Sequence, residues 1–220
     1  MKTLLESAST IQNFQKDSLT KRISTIEHQL SGADIQSCLS SYESLMVSDN
    51  LLVSALAFKK AASQINVLIH AVGILLSLPH ILNDGEIVES LSLGAGNSGR
   101  KFDLETNQRV AEYKFISWKG GAEAIRQNSL FKDFYFLAED ETPKKKYLYV
   151  IGLDYPTKFF NSNRAFTSIL SKNNKLWIEF QEKYGERFNT VHQYYEYRKD
   201  KVNLEDISKM IPQFLDLPIK

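Results

Sequence analysis

Two carboxylates and one ammonium group lie close together in the segment RKFDLETNQRVAEYKFI, residues 100–116. They belong to Asp103, Glu112 and Lys114. The residues around Glu112 and Lys114 are mostly apolar at both alternating positions, as expected for an interior β-strand. Since side chains two positions apart in a strand point to the same face, Glu112 and Lys114 share one face. Carboxylates can hold a hard divalent cation, and such a cation together with a nearby lysine can act on a phosphodiester.

The segment's alternating pattern predicts two strands joined by a short turn at residues 107–108. Pairing Thr106 with Arg109 places Asp103 directly opposite Glu112. Like charges opposite each other destabilise a strand pair. We therefore expect this face of the sheet to bind a cation or to take part in a reaction.

An ion pair on a solvated sheet face is the alternative interpretation, in which Lys114 pairs with Asp103 or Glu112. Exposed pairs of this kind are common and contribute little to stability. The neighbours on the same face are Val110 and Ile116, which favours a face covered by protein. We therefore favour the metal site.

Composition excludes several other classes of protein. The 220 residues, 43% of them hydrophobic, suffice for one full core. With 27 basic and 26 acidic residues, no global charge draws the chain to nucleic acid or to an anionic membrane. The single cysteine, Cys38, forms no internal disulfide, and the four histidines lack paired zinc-site spacing. These features favour a reducing, cytoplasmic compartment.

The N-terminus lacks an apolar stretch of signal-peptide length. The strongest apolar run, VLIHAVGILLSL at 67–78, is too short to span a bilayer, so we expect a buried core helix and no membrane partner. His70 within it is predicted to be a satisfied core residue rather than a catalytic one. The sequence shows no pattern of partner residues that would support a catalytic role for His70.

The periodicity predicts a helical N-terminal extension over residues 1–48, amphipathic to about residue 31. This helix either lies on the domain, the favoured interpretation, or forms a short coiled coil that makes a homodimer. A long helix then runs from the cap at 49–50 and ends at Pro79.

A mixed core of helices and strands is predicted over residues 49–153. After the long helix come a strand at 86–93, the hairpin, a helix at 122–139 and a strand at 146–153. This order gives a mixed α/β sheet with helices on its faces. The intervening GAGNSG, residues 94–99, has the GxGxxG spacing of dinucleotide-binding loops. A strand follows it rather than a helix, so we interpret it as a turn between antiparallel strands.

Asp103 followed by Glu112-Tyr113-Lys114, in the order helix, three strands, helix, strand, resembles the PD-(D/E)XK nuclease superfamily with its restriction-endonuclease-like fold. The resemblance covers about residues 50–153, and its specific part is the two short motifs. The sequence departs from the pattern at Phe102, where a proline often stands.

The resemblance implies roles for individual residues. Asp103 and Glu112, with the main-chain carbonyl of Tyr113, would bind Mg²⁺, for which Mn²⁺ would substitute. Lys114 would orient or activate water near the scissile phosphate. The expected substrate is DNA. Some members also carry Gln-x-x-x-Tyr in the next helix, which Gln127 followed by Phe131 matches only in part.

Other residues are weaker candidates for contact with substrate. Lys119, Arg126 and Gln127 follow the motif strand and are candidates for phosphate binding, although each is more readily explained as a surface residue. Trp118 is a candidate for base stacking, with packing favoured. Glu105 shares the face of Asp103 beside the turn, and a solvated surface acid is the favoured interpretation.

The remaining residues, 154–220, are predicted to form a helical C-terminal lobe packed on the core. The helices are expected at 164–171, 174–184, 188–197 and 204–214. Tyrosines at 194, 195 and 197 stand beside Arg198, Lys199 and Lys201 and suit a nucleic-acid backbone. Interleaved acids dilute this charge, so we favour a helix that packs its tyrosines on the sheet.

The sequence thus predicts a metal-dependent nuclease with a restriction-endonuclease-like core. The competing hypothesis is a catalytically inactive module of the same fold that binds nucleic acid or assembles a complex with a partner subunit. A helical adaptor with an incidental sheet is the third.

Overall fold

The computed structural model describes residues 3–94, 99–115, 118, 124–170 and 173–215. The chain divides into two compact units, residues 1–66 and residues 67–220. The predicted core, 49–153, therefore starts in the first unit, whereas the predicted C-terminal lobe lies wholly in the second.

Helices account for the regular structure described in the first unit. They are α1 (Leu4–Gln15), α2 (Leu19–Leu30), α3 (Ile35–Ser44) and the first part of α4 (Asp49–Ile81). The side chains of Thr3, Ser18 and Asp34 accept hydrogen bonds from the first-turn amides of α1, α2 and α3. The residues before 31 are helical, as predicted, but form two helices rather than one.

A five-stranded mixed sheet lies in the second unit. Its strands are β1 (Val88–Leu91), β2 (Leu104–Thr106), β3 (Arg109–Lys114), β4 (Lys145–Val150) and β5 (Asn203–Asp206), in that spatial order. The first three pair antiparallel, and β3, β4 and β5 run parallel. The mixed α/β class predicted from the sequence is therefore confirmed.

The register of the β2–β3 hairpin is also as predicted. Leu104 pairs with Ala111 and Glu105 with Val110, so the same register places residue 103 opposite Glu112. In the loop between β1 and β2, Gly94 and Gly99 have φ of 80° and 68°. Both angles agree with the predicted glycine turn, whose residues 95–98 lie outside the described part of the chain.

The strand β5 corrects the prediction of a helix over 204–214. The short apolar and charged segment pairs in parallel with β4 and then continues in 3₁₀ turns at Ile207–Lys209 and Pro212–Leu215. Pairing with an available sheet edge outweighed the weak helical pattern, since strand formation depends mostly on such neighbours.

Helices cover both faces of the sheet. One face packs on α5 (Ala124–Glu139) and on four further helices, α6 (Asp154–Phe160), α7 (Phe166–Leu170), α8 (Asn174–Tyr184) and α9 (Val191–Arg198). The other face packs on the later turns of α4 and on the segment after β5, with Ile74, Tyr113, Tyr149 and Ile207 in its core. Helix α5 is the crossover between the parallel strands β3 and β4.

Helix α4 differs from its prediction in two respects. It continues past Pro79 to Ile81, because a proline near the end of a helix removes only one hydrogen bond there. Its apolar end is also not wholly buried: Leu68 is 62% exposed and Leu76 53% exposed. By length and composition alone, α4 is the one described helix that could cross a membrane, and 17% of its apolar window is buried.

Candidate active site: a carboxylate cluster at the β2–β3 hairpin

The carboxylate of Asp103 is held by donors from two elements. Its Oδ2 accepts a hydrogen bond of 3.0 Å from the backbone N–H of Tyr113 on β3. Its Oδ1 lies 3.2 Å from Nε2 of His70 on α4. Because an ionised carboxylate can only accept, the histidine nitrogen is the donor. Burial alone would raise the pKa of Asp103, but the hydrogen bond and charge of His70 and the Tyr113 amide lower it.

Glu112 lies beside Asp103, as the register requires. Burial, together with the negative charges of Asp133 and Asp103, raises the pKa of Glu112 to about 10. The raised pKa favours the protonated form of Glu112, which can share a hydrogen bond with the Asp103 carboxylate. Protonation relieves the repulsion that the sequence predicts between these opposed acids.

Lys114 extends from the same strand but forms its ion pair with Asp133 of α5. Burial acts to lower the pKa of Lys114, and the negative charge of Asp133 reverses this and raises it. The side chains of Lys114 and Asp133 are 25% and 11% exposed. The alternative interpretation paired Lys114 with Asp103 or Glu112 on a solvated face, but its ion-pair partner is Asp133.

His70 was predicted to be a satisfied core histidine, and this interpretation misses its contact with Asp103. The imidazole is half-buried and also makes an edge contact with the Phe115 ring, with centroids 5.9 Å apart. Asp103 and His70 are 33 positions apart. A local sequence pattern cannot show such a pair.

Asp133 was also missed, although the sequence carries a signal for it. It lies on α5 next to Phe134 and three positions after Leu130, both buried in the core. An acid on the apolar side of an amphipathic helix is costly unless it is paired. Asp133 is itself buried, and burial raises its pKa.

The weaker candidates for contact with substrate lie in different surroundings. Lys119 lies outside the described residues. Arg126 and Trp118 line a small cavity together with Lys114. The Trp118 ring also packs on Tyr155 and Phe159, as the favoured packing interpretation predicts. Gln127 is not a surface residue: it is buried, and its Oε1 has no hydrogen-bond partner among the residues that the structure describes.

The remaining polar residues have structural partners. Glu105 pairs with Lys144 at the surface, with 2.8 Å between Oε1 and Nζ. Tyr194 is fully buried in the core and Tyr195 packs against it. Both rings contact Phe134 of α5, whereas the favoured interpretation placed these tyrosines on the sheet. Arg198 donates to the carboxylate of Glu139, with 2.9 Å between Nε and Oε1. The aromatic and basic residues of α9 therefore do not form a free cationic surface.

No group of three or more histidine, cysteine, aspartate or glutamate side chains in the described residues has an arrangement that could hold a metal ion. The adjacent carboxyl groups of Asp103 and Glu112 nevertheless fit a cation such as Mg²⁺. This ion usually takes only one or two protein carboxylates and completes its shell with water and substrate phosphate. The oxygen donors of these two side chains thus suit the expected Mg²⁺. Glu112 would lose its proton when the ion binds, because a metal ligand must be deprotonated.

No family model matches the chain, and no curated protein and no solved structure matches it.

Proposed function

We propose that the chain is a metal-dependent nuclease that hydrolyses phosphodiester bonds of DNA, with a restriction-endonuclease-like core. The observation that supports this most is the contact between Asp103 and Glu112. Asp103, just before β2, and Glu112 on β3 share a hydrogen bond in a mostly buried position, and Lys114 extends from the same strand face as Glu112. Such a concentration of charge is expensive to build into a core and is typical of functional sites.

In this proposal Asp103, Glu112 and the main-chain carbonyl of Tyr113 would hold Mg²⁺, or Mn²⁺ in its place. When bound, the ion would neutralise charge on the phosphate and favour formation of a hydroxide nucleophile. His70 and the Tyr113 amide hold the Asp103 carboxylate in a fixed orientation. Rigid supports of this kind position ligands accurately.

Lys114 supplies the remaining positive charge. Its raised pKa keeps the ammonium charged at neutral pH, so it would stabilise negative charge on the phosphoryl oxygens and orient the attacking water. Arg126 lines the same small cavity as Lys114 and would contact an adjacent phosphate.

A catalytically inactive module of the same fold, which binds nucleic acid or assembles a complex, is the second candidate. The observation in its favour is that the cluster is already satisfied within the protein: Lys114 pairs with Asp133, and Glu112 with Asp103. A purely structural polar network would have the same contacts.

Cleavage assays separate the two. Purified protein is incubated with plasmid and with linear DNA, in Mg²⁺, in Mn²⁺ or in chelator. A nuclease cleaves with either metal and not with chelator, and Lys114→Ala folds but no longer cleaves. Lys144→Ala, which removes a lysine paired with Glu89 and Glu105 outside the cluster, retains cleavage. Metal-independent cleavage, or normal cleavage by Lys114→Ala, contradicts the proposed mechanism.

A further inference from the structure

An apolar stripe follows α4 on the side that faces solvent. Its positions alternate in steps of three and four residues, and its members are Phe58, Ala61, Ile65, Leu68, Val72 and Leu75. All except the half-buried Ala61 are exposed, from 38% at Phe58 to 62% at Leu68. Leu76 extends the stripe along one edge and is exposed as well.

Steps of three and four repeat every seven residues, which is the spacing of a coiled-coil seam. One set of positions carries Phe58, Ile65 and Val72, and the other carries Ala61, Leu68 and Leu75. The β-branched Ile65 and Val72 in the first set, with Leu68 and Leu75 in the second, favour two-stranded association. Residues 61–79 also contain no Asp, Glu, Lys or Arg, so no like charges would oppose two such helices.

Over the later turns of α4, from about residue 70 onward, the other side of the helix is occupied by the protein. Ile74 is fully buried against the sheet, and a Cβ at Gly73 would lie 2.7 Å from the Phe115 ring. His70 on this side contacts Asp103. A bilayer surrounds a spanning helix with lipid except where other spanning helices pack, so the sheet would have to separate from α4. This packing favours a protein occupant over a membrane.

The size of the stripe also suits a copy of the same chain. From their exposed fractions, the large side chains of the stripe together with Leu76 present roughly 600 Å² per copy, against about 800 Å² per partner in a standard interface. Monomeric proteins rarely expose a larger contiguous apolar patch. Two copies related by a two-fold axis would bury the same stripe on each other.

We propose that the chain forms a homodimer by pairing the α4 stripes of two copies. This pairing is distinct from the N-terminal coiled coil considered from the sequence, and it does not depend on nuclease activity.

Sedimentation-velocity centrifugation of the full chain tests the proposal. The mass obtained for the wild type is expected to be twice the 25.2 kDa of one chain. The variants Leu68→Glu and Leu75→Glu are each expected to sediment as folded monomers. Because both residues are exposed, circular dichroism of the variants matches that of the wild type. Ile178→Glu on α8, which replaces an equally apolar residue that is 55% exposed, remains dimeric.

Three outcomes overturn the proposal. One is a wild-type monomer at micromolar concentration. Another is a dimer that survives Leu68→Glu but dissociates with Ile23→Glu on α2, which would assign the contact to the N-terminal helices. The third is a monomer that co-sediments with phosphatidylcholine vesicles and loses this binding with Leu68→Glu, which would assign the stripe to a membrane.

Discussion

Lys114 on β3 forms its ion pair with Asp133 on α5 and not with Glu112, which lies two positions before it on the same strand. The pair links the motif strand to the helix that follows it. Lys114 is thereby held beside the acids while its charge is balanced from the helix side. Any phosphate that approaches Lys114 would compete with Asp133 for the ammonium.

Asp133→Asn removes this partner and is expected to destabilise the protein by about 2 kcal/mol, since it leaves a mostly buried ammonium without its nearest counter-charge. Urea unfolding measures the free energy. In a double-mutant cycle with Lys114→Met, the combined loss should be smaller than the sum of the single losses. Strictly additive losses would show that the ion pair contributes nothing.

His70 is expected to act as a positioning residue for Asp103. His70→Ala should weaken Mn²⁺ binding about 10- to 100-fold, as is typical when the residue that orients a ligand is removed. His70→Gln retains an N–H donor and should recover part of the affinity. Titration with Mn²⁺ monitored by calorimetry gives the dissociation constants.

The control is His80→Ala, because His80 is exposed near the end of the same helix. It should bind Mn²⁺ as the wild type does. Equal affinities for wild type and His70→Ala would remove His70 from the site.

Glu112→Gln should abolish cleavage and yet stabilise the protein in chelator. The pKa of Glu112 is raised to about 10, so the folded state binds a proton that the unfolded state releases above its ordinary pKa of 4.5. The wild type therefore loses stability as pH rises between these values, by at most about 1.4 kcal/mol per pH unit. The glutamine variant lacks this loss.

Urea unfolding at pH 6 and pH 8 checks this expectation, since the advantage of Glu112→Gln should grow with pH. Glu105→Gln changes an acid on the neighbouring strand that is 40% exposed, and its effect should vary little between the two values. An advantage that shrinks with rising pH would mean that Glu112 is ionised in the folded protein.

Acid stability should depend on Glu86, which receives two hydrogen bonds from Arg109, of 2.5 and 2.7 Å. Burial alone would raise the pKa of Glu86, but these bonds and those from Asn83 and Thr106 lower it to about 2. A lowered pKa stabilises the folded state above pH 4.5, and the contribution disappears as pH falls through 2.

Glu86→Gln should accordingly cost on the order of 3 kcal/mol at pH 7. The difference from wild type should close between about pH 4.5 and 2. Unfolding curves across this range provide the measurement, with the more exposed Glu89→Gln as control. A constant difference down to pH 2 would show that the loss comes from packing and not from the carboxylate charge.

The sequence by itself determined the hairpin and the relation between its two acids. A two-residue turn and the period-two alternation specify which residues pair, so Asp103 opposes Glu112 whatever the rest of the chain does. The mixed sheet followed from the order of strands and the crossover helix for similarly local reasons.

Tertiary structure alone decided the partners of the cluster. His70 and Asp133 meet it because α4 and α5 each turn one particular side toward the sheet, and the side is chosen by long-range packing. The same packing leaves the other side of α4 exposed and recruits β5 to an available sheet edge. Helical periodicity shows which residues share a side, but not what will lie against it.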